Sequence, residues 1–245
     1  MNPSRHVGIV AAALAIGGFG LGACSRGDLP TAPSAVIAAA ISPTPMPVVP
    51  PTTARYRVTF QATWSAATHP QDFPRFPHFS GLIGATHGSA AIFWRPGLVA
   101  TEGIRGMAER GDKSDLQAEV NAAIAAGMAK FLISGGNIDV SPGIVTLEFD
   151  ITSDYPLATL VTMVAPSPDW FVGVAGLALY ELGEWKDSVT VDLFPYDAGT
   201  DSGVTFSSPD AETLPRQVIA RIIGFPFLNG GSVLPLGTFR FDRIR

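Results

Sequence analysis

The chain has 245 residues, 47% hydrophobic and 15% charged, with 16 Lys and Arg against 21 Asp and Glu for a net charge of −5. Disorder would need low hydrophobicity under high net charge, and nucleic-acid binding normally shows as a basic surplus, so both classes are excluded. A single cysteine leaves no intramolecular disulfide and no paired-cysteine metal knuckle.

The first element reads as an export signal. Arg5 and His6 precede an uncharged apolar run from Val7 to Gly20, 14 residues long. That suits the hydrophobic region of a signal peptide and falls short of the roughly 20 residues a spanning helix needs. Leu21-Gly22-Ala23-Cys24 follows and resembles the lipobox of bacterial lipoproteins, in which small residues precede a cysteine. The resemblance implies a signal peptide over 1–23, cleavage before Cys24 and lipidation of that residue. It implies an exported protein, lipid-anchored in the bacterial cell envelope, with the membrane as its first partner. In a Gram-negative cell that means the outer membrane, since Ser25 is not the aspartate by which lipoproteins are retained at the inner one. Acyl chains anchor because each buried CH₂ contributes about 0.8 kcal/mol. Residues 24–54 then form a tether. Seven prolines between 25 and 54 rule out a helix or central strand and predict a semi-rigid spacer of up to about 3.1 Å per residue.

One domain is expected from 55 to 245. Residues 56–64 alternate apolar and polar positions, the pattern of a half-buried strand. Strands are likewise expected over 91–94, 130–134, 145–151, 157–164, 171–178, 188–194 and 238–244. Helical period occurs only over 101–110 and 115–128, where Leu116, Val120, Ile124 and Met128 fall four apart. Ser114 or Asp115 is placed to cap the second piece, and Glu119 to favour its N-terminal half through the helix dipole. Short strands split by Gly and Pro turns, with one helical insertion, predict an all-β dominated antiparallel sandwich, a barrel being the near alternative.

Two segments exceed what strands and turns require: Met163-Val164-Ala165-Pro166-Ser167-Pro168-Asp169-Trp170-Phe171-Val172-Gly173-Val174 and Pro195-Tyr196-Asp197-Ala198-Gly199-Thr200-Asp201-Ser202-Gly203. Together they resemble the spondin N-terminal domain family, the module of F-spondin and mindin, which also occurs alone in bacterial proteins. Trp64, His69-Pro70, Phe73-Pro74, His78-Phe79-Ser80, Gly84-Ala85-Thr86-His87 and Met107-Ala108-Glu109-Arg110-Gly111 follow the same family in kind and order. The resemblance implies a C2-like sandwich with helical insertions and a calcium (Ca2+) site near one end, whose aspartates carry over onto Asp169, Asp197 and Asp201. Partners of the animal proteins do not carry over, because their flanking domains are absent.

The residues point the same way independently. Hard cations take six to eight oxygens from carboxylates, carbonyls and water. Asp197-Ala198-Gly199-Thr200-Asp201 is a turn able to fold two carboxylates together, with Thr200 and Ser202 supplying further oxygens, and three like charges repel unless a cation neutralises them. The plainer reading makes all three aspartates turn-closing residues. Trp64, Trp94, Trp170 and Trp185 are expected as core or loop-packing residues, with an exposed binding surface at the metal end as the alternative for Trp170, beside Asp169. His69, His78 and His87, nine residues apart, sit beside turn formers or aromatics and are expected in structural hydrogen bonds rather than around zinc.

Asp201-Ser202-Gly203 matches the aspartic-protease tripeptide, but one copy lacks the second carboxylate that chemistry needs. No G-x-S-x-G elbow, P-loop or dinucleotide fingerprint occurs. Arg26-Gly27-Asp28 and Arg110-Gly111-Asp112 are read as chance strings, the second ending a helix. The expectation is a non-catalytic, calcium-binding recognition module for an unknown surface, matrix or envelope ligand. An envelope hydrolase using the acidic loops, and a purely structural domain without metal, are the alternatives.

Overall fold

The computed structural model describes residues 52–245; the segments read as a signal peptide, as a lipidation site at Cys24 and, up to residue 51, as a tether lie outside the described residues. In chain order the elements begin with β1 (Thr53–Ala62), β2 (His78–Phe79) and β3 (Ile83–His87), then helices α1 (Glu102–Arg110) and α2 (Ser114–Ala125). Next come β4 (Ala129–Ser134), β5 (Gly143–Thr152), β6 (Leu157–Ala165), β7 (Trp170–Ala178), β8 (Tyr180–Glu181) and β9 (Glu184–Trp185). The last are β10 (Ser188–Leu193), β11 (Tyr196–Asp197), β12 (Ala220–Arg221), β13 (Leu228–Asn229), β14 (Ser232–Val233) and β15 (Gly237–Arg243).

Alternation in β1 sets the first layer. Tyr56, Val58 and Phe60 point inward with no exposed surface. Arg55 and Arg57 point outward and pair with Glu148 and Asp150 of the neighbouring β5 at 2.8–3.2 Å. The four strands of this sheet run in the order β10-β15-β1-β5. The facing sheet runs β12-β11-β7-β6-β3-β4, with β2 also paired to β6, and every pairing is antiparallel. The expected sandwich is therefore present.

The second sheet is covered on both faces. Leu160 and Val164 of β6 enter the core between the sheets, whereas Val161, Met163 and Ala165 pack under the helices with Ile104, Met107, Leu116 and Val120. This explains why β6 reads as an almost unbroken apolar run instead of an alternating one. It also explains β3, which was not expected: all five residues are buried, and small or polar side chains at Gly84, Ala85 and Thr86 mask the pattern. Residues 91–94, expected as a strand, form an irregular loop instead. Their hydrophobicity serves burial, since Phe93 and Trp94 fill the helix-side core. The chain enters β1 at Thr53, inside the expected tether.

The helices also depart from expectation in detail. α2 stops at Ala125, so Met128 lies beyond it and is 37% exposed. Its N-cap is Lys113, without a side-chain cap; Asp112 Oδ1 instead accepts the Ser114 amide at 2.9 Å. Gly111 ends α1 in the left-handed conformation at φ 66°, as a helix stop requires, so the Arg110-Gly111-Asp112 string is the junction of the two helices. Glu119 acts on the other helix: its Oε1 accepts the Gly103 amide and its Oε2 the Thr101 hydroxyl, both at 2.8 Å. Thr101 Oγ1 in turn accepts the Ile104 amide at 3.2 Å. Two amides that α1 leaves without intrahelical partners are thus held across the helix pair. Glu119→Ala should cost about 1–2 kcal/mol in denaturant unfolding, whereas Leu182→Ala, at a side chain 99% exposed, should leave the midpoint unchanged.

Candidate metal centre

The acidic end is built where β6 hands over to β7. Pro166-Ser167-Pro168 breaks the sheet, the Ser167 hydroxyl accepts the Trp170 amide at 3.0 Å, and Asp169 falls at the entrance to β7 with no exposed surface. β11 pairs antiparallel with β7, placing Asp197 opposite Trp170. The following turn brings Thr200 and Asp201 over Asp169. One oxygen of Asp169, Oδ2, accepts the Thr200 amide at 2.7 Å, the Asp201 amide at 3.0 Å and the Thr200 hydroxyl at 3.2 Å. The other, Oδ1, is buried with no partner.

The other two aspartates hold the turn itself. Asp197 Oδ1 accepts the Gly199 amide at 2.7 Å, and the Trp170 side chain donates to the same carboxylate. Asp201 accepts the Gly203 amide on Oδ1 and the Ala211 amide on Oδ2, each at 2.7 Å. Gly199 is required here: at φ +75° a side chain would be strained, and a Cβ would stand 2.4 Å from the Gln217 carbonyl oxygen. The approach is so close because Gln217 donates its amide to the Gly199 carbonyl at 2.8 Å.

Electrostatics follow from this crowding. Burial pushes the Asp169 carboxyl up to about 6, the Asp197 charge adds to it, and the hydrogen bonds from Thr200 and Asp201 oppose it. Asp197 is raised first by burial and last by the charge of Asp201, against hydrogen bonds from Gly199 and Trp170. Arg105, the nearby cation, is engaged with Glu109 at 2.9 Å and Glu212 at 3.0 Å. Among the described residues the three aspartates have no ion-pair partner. A cleft of about 220 Å³, lined by Asp197, Asp201, Val204, Thr213 and Gln217, opens beside the turn.

All three expected site residues therefore meet at one end of the sandwich. Among the described residues, no three His, Cys, Asp or Glu side chains are arranged to enclose a metal ion unaided. A cation here would have to draw on hydroxyl, carbonyl or water oxygens as well, which a hard ion accepts and zinc does not favour.

Trp170 packs in the core like the other three tryptophans, and the alternative of an exposed binding surface is overturned. It is 3% exposed, wedged edge-on against Phe206 and Phe227 at 5.1 and 5.2 Å. Its position at the start of β7 points the ring into the core, where the indole N–H finds Asp197. The histidines do not join the aspartates. His69 bonds the Leu234 carbonyl, His78 the Phe76 carbonyl, and His87 both Gly88 O and Thr159 Oγ1 at 2.8 Å. Thr200, expected to supply an oxygen, instead donates both its amide and its hydroxyl to Asp169 Oδ2, a clamp that depends on the tight turn at Gly199.

The architecture defines a class: an all-β sandwich module, with a helical layer on one sheet and a loop-built acidic end. Residues 54–226 match the spondin N-terminal domain family, Spondin_N, and the chain belongs to that family. It is 39% identical over 198 residues to Spondin-2 of Rattus norvegicus and 37% over 196 residues to Spondin-2 of Homo sapiens, in each case 78% of this chain and 58% of the relative. It is 35% identical over 209 residues to Spondin-1 of Mus musculus, 78% of this chain and 25% of that protein. The chain thus spans little more than half of the Spondin-2 proteins and a quarter of Spondin-1.

The raised Asp169 value has a definite sign. A carboxyl raised on folding contributes stability that is fully present below its unfolded value of about 3.9 and is lost as pH climbs through about 6. In chelator, the stability of the wild type measured against Asp169→Asn should therefore fall by about 2–3 kcal/mol between pH 4 and pH 7. Urea unfolding of the two proteins across that range checks it.

Proposed function

We propose that this chain is a non-catalytic recognition module of the cell envelope, anchored through Cys24, whose acidic end is ordered by a calcium ion. The observation that carries the reading is the buried Asp169 Oδ1, which has no partner and belongs to a carboxylate crowded by Asp197. An unpaired polar atom in such a place is costly, and a hard cation satisfies it while neutralising the cluster. Asp169 and Asp197 are the residues best placed to hold the ion, with Thr200, Ser202 and backbone carbonyls of the turn as further oxygens. Asp201, with both oxygens taken by amides, shapes the turn first and can add a lone pair second. When bound, calcium supplies charge neutralisation and rigidity, not a reaction. The recognition role rests on family membership, and among the described residues the histidines are engaged with partners away from this end. Export rests on the signal segment. Among the described residues no helix is long and apolar enough to cross a membrane.

Thermal unfolding in chelator and then across millimolar calcium is the test. Extracellular calcium modules bind at about 10⁻⁴–10⁻³ M, and calcium at 100 times its dissociation constant adds about 2.7 kcal/mol of apparent stability. Asp169→Asn and Asp197→Asn should abolish that gain. Asp201→Ala should lower stability even in chelator, because it strands two amides. Equal calcium responses in wild type and all three variants would overturn the site. Calcium affinity should also weaken as pH falls below about 6, as Asp169 takes up its proton. Calorimetric titration at pH 5 and pH 7.5 measures this. For the anchor, Cys24→Ser should move the protein from the detergent-extracted membrane fraction into the soluble one.

A further inference from the structure

Strand β7 is paired fully on one side only. β6 runs beside it from Phe171 to Ala178, but β11, on the other side, reaches only Trp170 and Phe171. Ala198 donates its amide to the Asp169 carbonyl at 3.2 Å on the β11 side. Alternation along an antiparallel strand therefore turns the backbone groups of Phe171, Gly173 and Ala175 to that side as well. Beyond Phe171, no strand among the described residues meets them. Folded proteins normally blunt such an edge with charges, prolines or bulges. Trp170–Ala178 carries no charge and no proline. The one device present is a bulge, where Gly176 stands at φ +65° and turns its amide to Thr159 Oγ1 at 2.9 Å. It bends the edge only after Ala175.

The edge is also recessed. A groove of about 440 Å³ is lined by residues 173–178, flanked by Trp94 and Tyr196 of the helix-side core and by Val191 and Asp192 of β10 in the facing sheet. Gly173 and Ala175 have almost no side chain to screen their own amides and carbonyls. β10 is the outer strand of its sheet, so no further strand of that sheet lies beyond it on this side.

We propose that this groove takes an extended peptide segment of a partner polypeptide, which adds to β7 as a further strand in line with β11. The backbone row names the occupant: donors and acceptors alternating at strand spacing are matched by another extended chain. Alternate side chains of the peptide would lie on Trp94 and Tyr196 or on Val191, and Asp192 favours a lysine or arginine at one position. A second copy of this chain fits less well, because its own β7 edge is equally recessed and two floors cannot meet. The site is separate from the acidic end and does not depend on calcium there.

The test is selection of a random nine-residue peptide library, displayed on phage, against the full chain in chelator, followed by titration of the recovered synthetic peptides. Enriched sequences should alternate apolar residues around a basic one. They should slow amide exchange at Gly173 and Ala175 and bind at least tenfold more weakly to Ala175→Pro. That substitution removes an amide facing the groove and no bond to β6, a position where proline is tolerated. Should Ala175→Pro lower the unfolding temperature, Asp192→Lys decides instead, with at least a threefold loss for the basic peptides. Failure to enrich any peptide, or peptides binding wild type and both variants equally, would overturn the proposal. So would a concentration-dependent dimer that protects the same amides and excludes the peptides.

Discussion

One carboxylate oxygen ties the acidic end together. Oδ2 of Asp169 collects two amides and a hydroxyl from the turn at Thr200 and Asp201, so the β6–β7 connection and the β11 turn are a single unit. The rest of that end hangs from it. Asp201 carries the Ala211 segment, Gly199 carries Gln217, and Trp170 is held by Asp197 above the aromatic cluster of Phe206 and Phe227. Three donors compensate one oxygen fully, but burial still outweighs them for the carboxyl as a whole, which is why its proton affinity rises. The asymmetry between its two oxygens, one saturated and one bare, is what distinguishes this residue from a turn former.

The helical layer solves a different problem. A sheet of several strands exposes two faces, and the sandwich covers only one of them. α1 and α2 cover the other, so β3 and β6, in the sheet that leads to Asp169 and Asp197, are buried on both sides. The opposite sheet keeps a solvated outer face, with Arg55 and Arg57 laced to Glu148 and Asp150 across β1 and β5. Such exposed pairs add little stability each; their use is to keep that face polar. Positional precision at the acidic end is therefore supplied by the doubly covered layer.

Much of this was legible in the residues. The alternation of β1, the apolar run of β6 and the helical period of Leu116 and Val120 each reflect a single dominant environment, which periodicity reports faithfully. The failures share a cause. Residues 91–94 are apolar because they fill space beneath the helices, and β3 lacks alternation because both its faces are buried and several of its own side chains are small. Burial and pairing are different demands, and hydrophobicity records only the first. At the site, the three aspartates could be found from their motifs, but the roles they divide among themselves could not. Asp201 Oδ2 accepts the Ala211 amide, and Gln217 bonds the Gly199 carbonyl, both arriving from outside the two motifs. For Trp170 both a core and a surface placement stayed open, because a residue at a strand entrance can face either way until the core beneath it is known.

The order of strands in the outer sheet has a consequence for how the chain acquires its structure. β1, the first strand, lies between β5 and β15, and Arg55 donates its amide to the carbonyl of Arg245, the final residue. The family match ends at residue 226, yet β15 occupies an interior place in the sheet, beside both β1 and β10. No N-terminal portion of the domain can complete that sheet, and the closing contacts join residues at opposite ends of the sequence. Such long-range pairing is slow to form. β1 therefore stays paired on one side at most until β15 is available, and the outer sheet is the part of the domain that closes last.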